Sequence, residues 1–206
     1  MGSCLGGSLR ALLECVQGPS YTATPSYGLL AEAEPDIKFD PSYQGPEVVT
    51  VKGGRRVCGT GGVLGNTAIC QDKAFFEVKL QQDGAWAIGL GPRKREALST
   101  LPAQGGPEGF WLLREDGCLY EGSVERGKLG KTLEEGDTLG VAFDHSELAF
   151  YVNGERAEGS LSGGIRGSLY PALFVDREAI LDVAFTSFSS RPPPGFSEIM
   201  LEQTLL

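Results

Sequence analysis

Short runs of apolar and β-branched residues recur through residues 47–188, and most of them end at a turn signal. Asp83-Gly84, Asp116-Gly117 and Asn153-Gly154 are dipeptides that tolerate the positive φ angles of tight turns. The runs have the length of strands, and no helical spacing lies between them. The 30 glycines among 206 residues agree with many turns. The pattern therefore predicts an all-β protein of about ten short strands, folded as a two-layer antiparallel β-sandwich.

The last eight predicted strands form four hairpins, in each of which two consecutive strands pair across the turn between them. Trp86 and Trp111 lie inside such runs, so we expect both to pack in the core. The predicted strands are Glu47–Lys52, Ala74–Gln81, Ala85–Leu90, Phe110–Arg114, Cys118–Glu121, Thr138–Phe143, Leu148–Val152, Tyr170–Val175 and Ile180–Phe185.

Apolar and polar residues alternate along the run FFEVKL, residues 75–80. From Phe76 onward the apolar residues are predicted to face the core, while Glu77 and Lys79 face water. Phe75 breaks this alternation.

Outside the predicted sandwich the composition changes. Residues 1–17 place apolar side chains at helical spacing and predict a short N-terminal helix. Residues 18–46 are rich in proline, serine and glycine, which indicates a linker or irregular wrapping around the domain edge. Residues 189–206 begin with a polyproline stretch and are expected to pack back on the domain as a C-terminal tail.

The formal charge of −9 disfavours binding to nucleic acid or, by electrostatics alone, to an anionic membrane. Five cysteines without a C-x-x-C pair do not form the pattern of a disulfide framework. No uncharged apolar run approaches the roughly 18 residues of a membrane span, and the N-terminus does not have the pattern of a signal peptide. We therefore expect a cytoplasmic protein.

Catalytic and cofactor motifs are weak in this sequence. His145, the single histidine, follows Asp144, but the two neighbours rarely point at one site and no G-x-S-x-G elbow occurs. One histidine and scattered cysteines do not supply the ligand spacing of zinc. We therefore expect no catalytic residues, no metal and no cofactor.

The glycine-rich run 59–65 resembles a phosphate loop only superficially, because it lacks both G-x-G-x-x-G and a terminal Gly-Lys-Ser/Thr. Its glycines are expected where a strand bends or bulges. Cys58 and Cys70 flank this run and are expected to be ordinary buried thiols.

Two basic groups are candidates for binding a partner protein. Arg93, Lys94 and Arg95 begin a long loop, and Arg55 and Arg56 precede the glycine-rich run. Either group could contact an acidic segment of a partner. The alternative, that both are solvated charges without a partner, stays open.

The first residues resemble an acylation signal. After removal of Met1, Gly2 could be myristoylated and Cys4 palmitoylated, although Gly6 stands where the motif has serine or threonine. One myristoyl chain binds membranes only reversibly, so stable anchoring needs the second acyl group. Membrane contact through an N-terminal lipid is therefore a hypothesis.

Four segments resemble the SPRY domain family in order and spacing: FFEVKL (75–80), GAWAIGLG (84–91), GDTLGVAFDHSELAFYVNGE (136–155) and LYPALFV (169–175). The resemblance implies a bent two-sheet sandwich of the concanavalin-like jelly-roll type. It also implies a protein-binding module without catalysis that presents loops at one end to its partners.

The sequence therefore predicts a monomeric, non-catalytic interaction domain that acts as an adaptor for an unidentified protein. Alternatives are a structural subunit of a cytoskeletal or ciliary assembly and a lectin-like glycan binder. The sequence contains no D-x-D-x-D-G calcium loop, which counts against the lectin hypothesis.

Overall fold

The computed structural model describes residues 36–201, and its contacts place the start of the main body at Ile37. The predicted N-terminal helix, Gly2 and Cys4 lie outside the described residues. Within them the strands are β1 Phe39–Gln44, β2 Glu47–Val51, β3 Arg56–Gly65, β4 Ala74–Gln82, β5 Ala85–Gly91, β6 Trp111–Arg114, β7 Cys118–Glu121, β8 Val124–Lys128, β9 Thr138–Phe143, β10 Glu147–Val152, β11 Glu155–Ser162, β12 Tyr170–Asp176, β13 Ile180–Ala184 and β14 Ser197–Glu198.

The strands form two mainly antiparallel sheets. Sheet A has the order β1-β3-β12-β5-β6-β7-β8. Sheet B has the order β11-β10-β9-β4-β13-β3-β2, and the short β14 pairs in parallel with the start of β4. This architecture confirms the predicted all-β antiparallel sandwich.

The long strand β3 belongs to both sheets. Arg56 and Val57 pair with β13 in sheet B, whereas residues 61–64 pair with β12 in sheet A. Where the strand passes from one sheet to the other, Gly59 and Gly61 have φ angles of 93° and 121°, which L side chains rarely adopt. A Cβ on Gly61 would also lie 2.7 Å from the carbonyl oxygen of Leu98. The predicted role of these glycines, at a bend in a strand, is confirmed.

The main core lies between the two sheets. Trp86 and Trp111 are 2% and 7% exposed, which confirms the prediction for both. Leu148, Phe150 and Val152 of β10 are fully buried, as the alternation of this strand requires. Burial of these side chains supplies the main stabilisation of the sandwich.

Two of the predicted hairpins are wrong. The turn at Asp83-Gly84 does reverse the chain, but β4 lies in sheet B and β5 in sheet A. Likewise β12 and β13 lie in different sheets. These turns are therefore corners that cross between the layers, and turn chemistry alone cannot distinguish a corner from a hairpin.

Other turns join strands that do pair. The β6–β7 and β9–β10 pairs are formed as predicted. Asn153 and Gly154, with φ angles of 53° and 85°, join β10 to β11. Strands β1, β8 and β11 were not predicted, because their polar or proline-containing sequences lack an apolar run.

The outer side of sheet A is covered by residues 92–110, here called the covering segment. It includes a 3-10 helix, Arg95–Leu98. Within residues 36–201, no helical segment has the length and hydropathy of a membrane span. Leu98 and Phe110 are fully buried against Phe174 and Leu112 of the sheet. The loop that begins at Arg93 is thus a packed layer rather than a solvated excursion.

The outer side of sheet B is covered at β4 by residues 187–190, here called the strap. The backbone amides of Ser189 and Ser190 donate to the Glu77 carboxylate at 2.6 and 3.0 Å. Phe188 packs edge-on against Phe75, with 5.0 Å between ring centroids. The prediction that Glu77 faces water is wrong, because the strap buries it to 3% exposure, and the strap also explains the misfit Phe75.

We expect Trp86→Ala to lower the free energy of unfolding by about 3–5 kcal/mol, because the indole fills the space between the sheets. Urea denaturation followed by far-ultraviolet circular dichroism measures the change. Val124→Ala is the control: Val124 is 49% exposed, so its stability should change by less than about 0.5 kcal/mol. Equal effects of the two substitutions would contradict the assigned core.

Candidate partner-binding surfaces

Arg93 is held against the surface of the fold by groups from three parts of the chain. Its guanidinium lies over the rings of Tyr43 and Tyr170, 4.2 and 4.8 Å from the ring centroids. It also pairs with the carboxylate of Asp40 and donates to the carbonyl oxygen of Asn66. This arrangement fixes the start of the covering segment, and it satisfies the positive charge of Arg93 internally.

The two other basic residues of this group differ from Arg93. Lys94 donates to the carbonyl oxygen of Glu108 at 3.4 Å, which ties the two ends of the covering segment together. Arg95 is exposed on the 3-10 helix and lines a shallow depression with Gln44 and Glu96. The three basic residues therefore do not form one free cationic patch.

Sequence reasoning missed Arg114, which is 5% exposed. Its Nη1 donates to the carbonyl oxygens of Pro102 and Gly105 at 2.7 and 3.1 Å. The covering segment is thereby held in its middle as well as at its start. A lone arginine in a strand gives no sequence signal for this role, because both acceptors are backbone atoms.

Strand β2 presents two apolar side chains to solvent. Val49 and Val51 are 51% and 42% exposed, while Val48, which precedes them on the opposite face of the strand, is buried. Within residues 36–201 only two other large hydrophobic side chains, Val124 and Met200, are comparably exposed. Two adjacent exposed valines on one face of a rigid strand are a candidate contact surface.

Charged groups frame these valines. Arg56 lies directly opposite Val51 in the register and donates to both oxygens of Asp182, with Nη2 at 2.7 Å from Oδ2. Lys52, in the turn after β2, donates to Oδ2 of the same carboxylate at 3.0 Å. We call Val49, Val51, Lys52, Arg56 and Asp182 the β2 surface.

The ion pairs of the β2 surface shift the pKa values of Asp182 and Arg56. Burial opposes ionisation of Asp182, but hydrogen bonds from Arg56 and Lys52 outweigh it and hold the pKa of this carboxyl below its ordinary value. The hydrogen bond to Asp182 in turn raises the pKa of Arg56. The carboxylate is therefore the fixed centre of the charged frame.

The free edge of β2 is partly blocked. The amide of Val48 donates to the carbonyl oxygen of Gly45 at 3.2 Å, and Gln44 Nε2 donates to the Val48 carbonyl oxygen at 3.4 Å. The Gln44 side chain also accepts from the Thr50 hydroxyl. Blocked backbone groups leave little room for an added strand, so the face of β2, rather than its edge, is available to a partner.

Arg55 lies at the end of the β2–β3 turn and is half-buried. Its carbonyl oxygen accepts from the Val183 amide at 2.7 Å, which fixes the turn on β13. The two predicted arginines, Arg55 and Arg56, are thus placed beside the exposed valines, away from Arg93.

Asp144 and His145 do not form a catalytic pair. Oδ1 of Asp144 accepts from the amides of Ser146 and Glu147 and from the Ser146 hydroxyl, so the carboxylate organises the β9–β10 turn. His145 Nε2 lies 2.8 Å from the carbonyl oxygen of Gln71, and because a carbonyl only accepts, Nε2 carries the hydrogen. Both side chains have structural roles.

The expectation that Cys58 and Cys70 are buried is wrong. Cys70 is exposed and Cys58 is half-buried on the outer side of β3, while Cys118 is buried and unpaired. Residues 36–201 contain no group of three histidine, cysteine or acidic side chains arranged to hold a metal ion.

The SPRY domain family model matches residues 73–188, more than half of the chain. The chain belongs to the SPRY domain family. It is 42% identical to SPRY domain-containing protein 7 of Gallus gallus over 173 residues, which are 83% of this chain and 87% of that protein. Identity to the Homo sapiens protein of the same name is 41%, with the same coverage.

Solved SPRY domains share the fold at low sequence identity. The SPRY domain of human HERC1 superposes with a TM-score of 0.58 at 16% identity, covering 70% of this chain and 96% of that one. The TRIM65 PSpry domain gives a TM-score of 0.58 at 14% identity, covering 73% and 90%. The family consists of protein-interaction modules that are generally not enzymes.

We expect Arg93→Glu to lower the free energy of unfolding by about 2 kcal/mol, because it removes two ring contacts and places a carboxylate beside Asp40. Arg95→Glu, in the same segment, should change stability by less than about 0.5 kcal/mol. Thermal unfolding measures both. Equal melting temperatures for the two variants would show that Arg93 does not hold the covering segment.

We expect the stability gap between the native chain and Asp182→Asn to depend on pH. A carboxyl with a lowered pKa in the folded state contributes stability above its unfolded value, about 3.9, and loses it as pH falls through the folded value. The gap in melting temperature should therefore be constant near neutrality and shrink below about pH 4. A gap that persists unchanged in acid would contradict the ion pairs of Asp182.

Proposed function

We propose that this SPRY domain acts as a non-catalytic adaptor and that its partner protein docks on the β2 surface. The observation that carries the proposal is the exposure of Val49 and Val51 on a strand whose neighbours are fixed by the Asp182 ion pairs. Exposed apolar side chains inside a polar frame are typical of the centre and rim of a protein interface.

Coverage of sheet A and of strand β4 supports this choice. The covering segment occupies the outer side of sheet A, and the strap occupies the outer side of sheet B over Phe75 and Glu77. The face of β2 and β3 remains as a flat, rigid surface that combines apolar and cationic groups.

The five basic residues predicted to bind a partner are divided by this proposal. We assign contacts with the partner to Arg56, which belongs to the β2 surface, and to Arg55, which precedes it in the β2–β3 turn. Arg93 and Lys94 instead hold the covering segment, away from the β2 surface. A contact by the exposed Arg95 stays a prediction.

A cytoplasmic location, with tethering to a membrane through acyl groups on Gly2 and Cys4, also stays a proposal. Its support is the Met-Gly start and the nearby cysteine in the sequence.

We expect Val49→Thr combined with Val51→Thr to weaken partner binding about 30-fold, since each lost apolar contact is worth about 1 kcal/mol. Threonine keeps the β-branched shape, so the melting temperature should hardly change. Proteins that the native chain captures from cell extract, identified by mass spectrometry and quantified for each variant, provide the measurement.

The matched control is Val124→Thr on β8, since Val124 has the same exposure on the far edge of sheet A. It should retain the partners of the native chain. Retention of every partner by the β2 variant, or equal loss from the β8 control, would remove the β2 surface from the function.

A further inference from the structure

One row of side chains crosses sheet B at right angles to its strands. The register aligns Val51 of β2, Arg56 of β3, Asp182 of β13, Lys79 of β4 and Thr138 of β9. Residues directly opposite each other on neighbouring strands point to the same side of a sheet. The exposure of Val51 and Lys79 places this row on the outer side. The β2 surface is therefore one end of a longer feature.

The far end of the row lies in a groove of about 270 Å³. Lys79, Thr138 and Asp182 line it, and Ser187 and Ser189 of the strap line it as well. Because the strap is hydrogen-bonded to the buried Glu77, the groove exists before any ligand binds.

Lys79 is the exposed cation of this groove. The two carboxylates nearest to it along and across the strands are already engaged: Glu77 by the strap, and Asp182 by Arg56 and Lys52. Among the residues that the structure describes, the Lys79 side chain has no hydrogen bond or ion pair. Its ammonium group is thus available to a carboxylate from another molecule.

The net charge of the row is positive, like that of Lys79. Lys52, Arg56 and Lys79 lie near two carboxylates, that of Asp182 and that of Glu77 beneath the strap, which leaves one excess positive charge here on a chain whose formal charge is −9. Charge complementarity therefore favours an acidic occupant at the groove and an apolar one at the valines.

Sheet geometry sets the distance between these two contacts. Strands lie about 4.8 Å apart, so the three steps from β4 to β2 span about 14 Å. An extended peptide rises about 3.3 Å per residue, which makes this span about four residues. Residues four apart in an extended chain point to the same side, so both can face the sheet.

We propose that the groove and the β2 surface together bind an extended segment of the partner protein, with an aspartate or glutamate on Lys79 and an aliphatic side chain four residues away on Val49 and Val51. The segment crosses the strands instead of adding to them, in keeping with the blocked edge of β2. The inference rests on the proposed function, and it adds the chemistry and direction of the bound segment.

A random peptide library displayed on phage is the probe, selected on the immobilised full chain. Selected peptides should share an acidic and an aliphatic residue four positions apart. Synthetic copies should bind Lys79→Gln about tenfold more weakly than the native chain. Lys128→Gln, on the exposed strand β8, is the matched control and should bind normally.

The contact between Lys79 and the peptide carboxylate is isolated by a double-mutant cycle. Replacing the peptide's acid by its amide should weaken binding to the native chain about tenfold and should have no further effect on Lys79→Gln. Selection of no peptide, selection of peptides without this pair, or undiminished binding to Lys79→Gln would each overturn the inference.

Failure of this inference is distinguishable from failure of the proposed function. If Lys79→Gln captures every native partner while the β2 valine variant loses them, the partner docks on β2 without an acidic contact, and only the inference falls. If the valine variant also captures every partner, the β2 surface itself is wrong.

Discussion

The bend of β3 is the constraint on which the rest of this SPRY domain depends. One strand supplies hydrogen bonds to both sheets, and it can do so because Gly59 and Gly61 adopt backbone angles that other residues rarely tolerate. The half of β3 in sheet B carries Arg56, and β2 is held on it. The position of the exposed valines therefore depends on these two glycines.

Single charged groups decide which parts of the sandwich remain accessible. Arg93 and Arg114 hold the covering segment over sheet A, and Glu77 holds the strap over sheet B. Each is satisfied by groups from another segment of the chain, so its charge is paired within the fold. What these contacts leave uncovered on β2, β3 and β13 is the strip to which we assign function.

Sequence reasoning succeeded where the signal is local. Alternation identified the inward face of β10, and the Asn153-Gly154 turn lies where its dipeptide predicts. It failed where a distant segment changes a side chain's surroundings. Glu77 alternates as a solvent-facing residue should, yet residues more than a hundred positions later bury it. The corners after β4 and β12 look like hairpin turns, because a turn dipeptide carries no information about which strand will pair.

The candidate site also combines features that local sequence predicts with features that depend on distant residues. Density of positive charge singled out Arg93, Lys94 and Arg95, but charge density cannot show that Asp40 and two tyrosines surround Arg93. For Lys79 the sequence predicts only a solvent-facing side chain, because a lysine in an alternating strand is ordinary until both neighbouring carboxylates prove to be engaged. Its availability is a property of the hydrogen-bond network and not of the sequence.

The balance of charges bears on selectivity. A chain of formal charge −9 repels a polyacidic tract at long range, while the strip attracts one carboxylate at short range. The proposed segment, with a single acid beside an aliphatic residue, gains the local contact without the full repulsion. Specificity then arises from the opposition of the two effects, since neither a strongly acidic nor a purely apolar segment satisfies both.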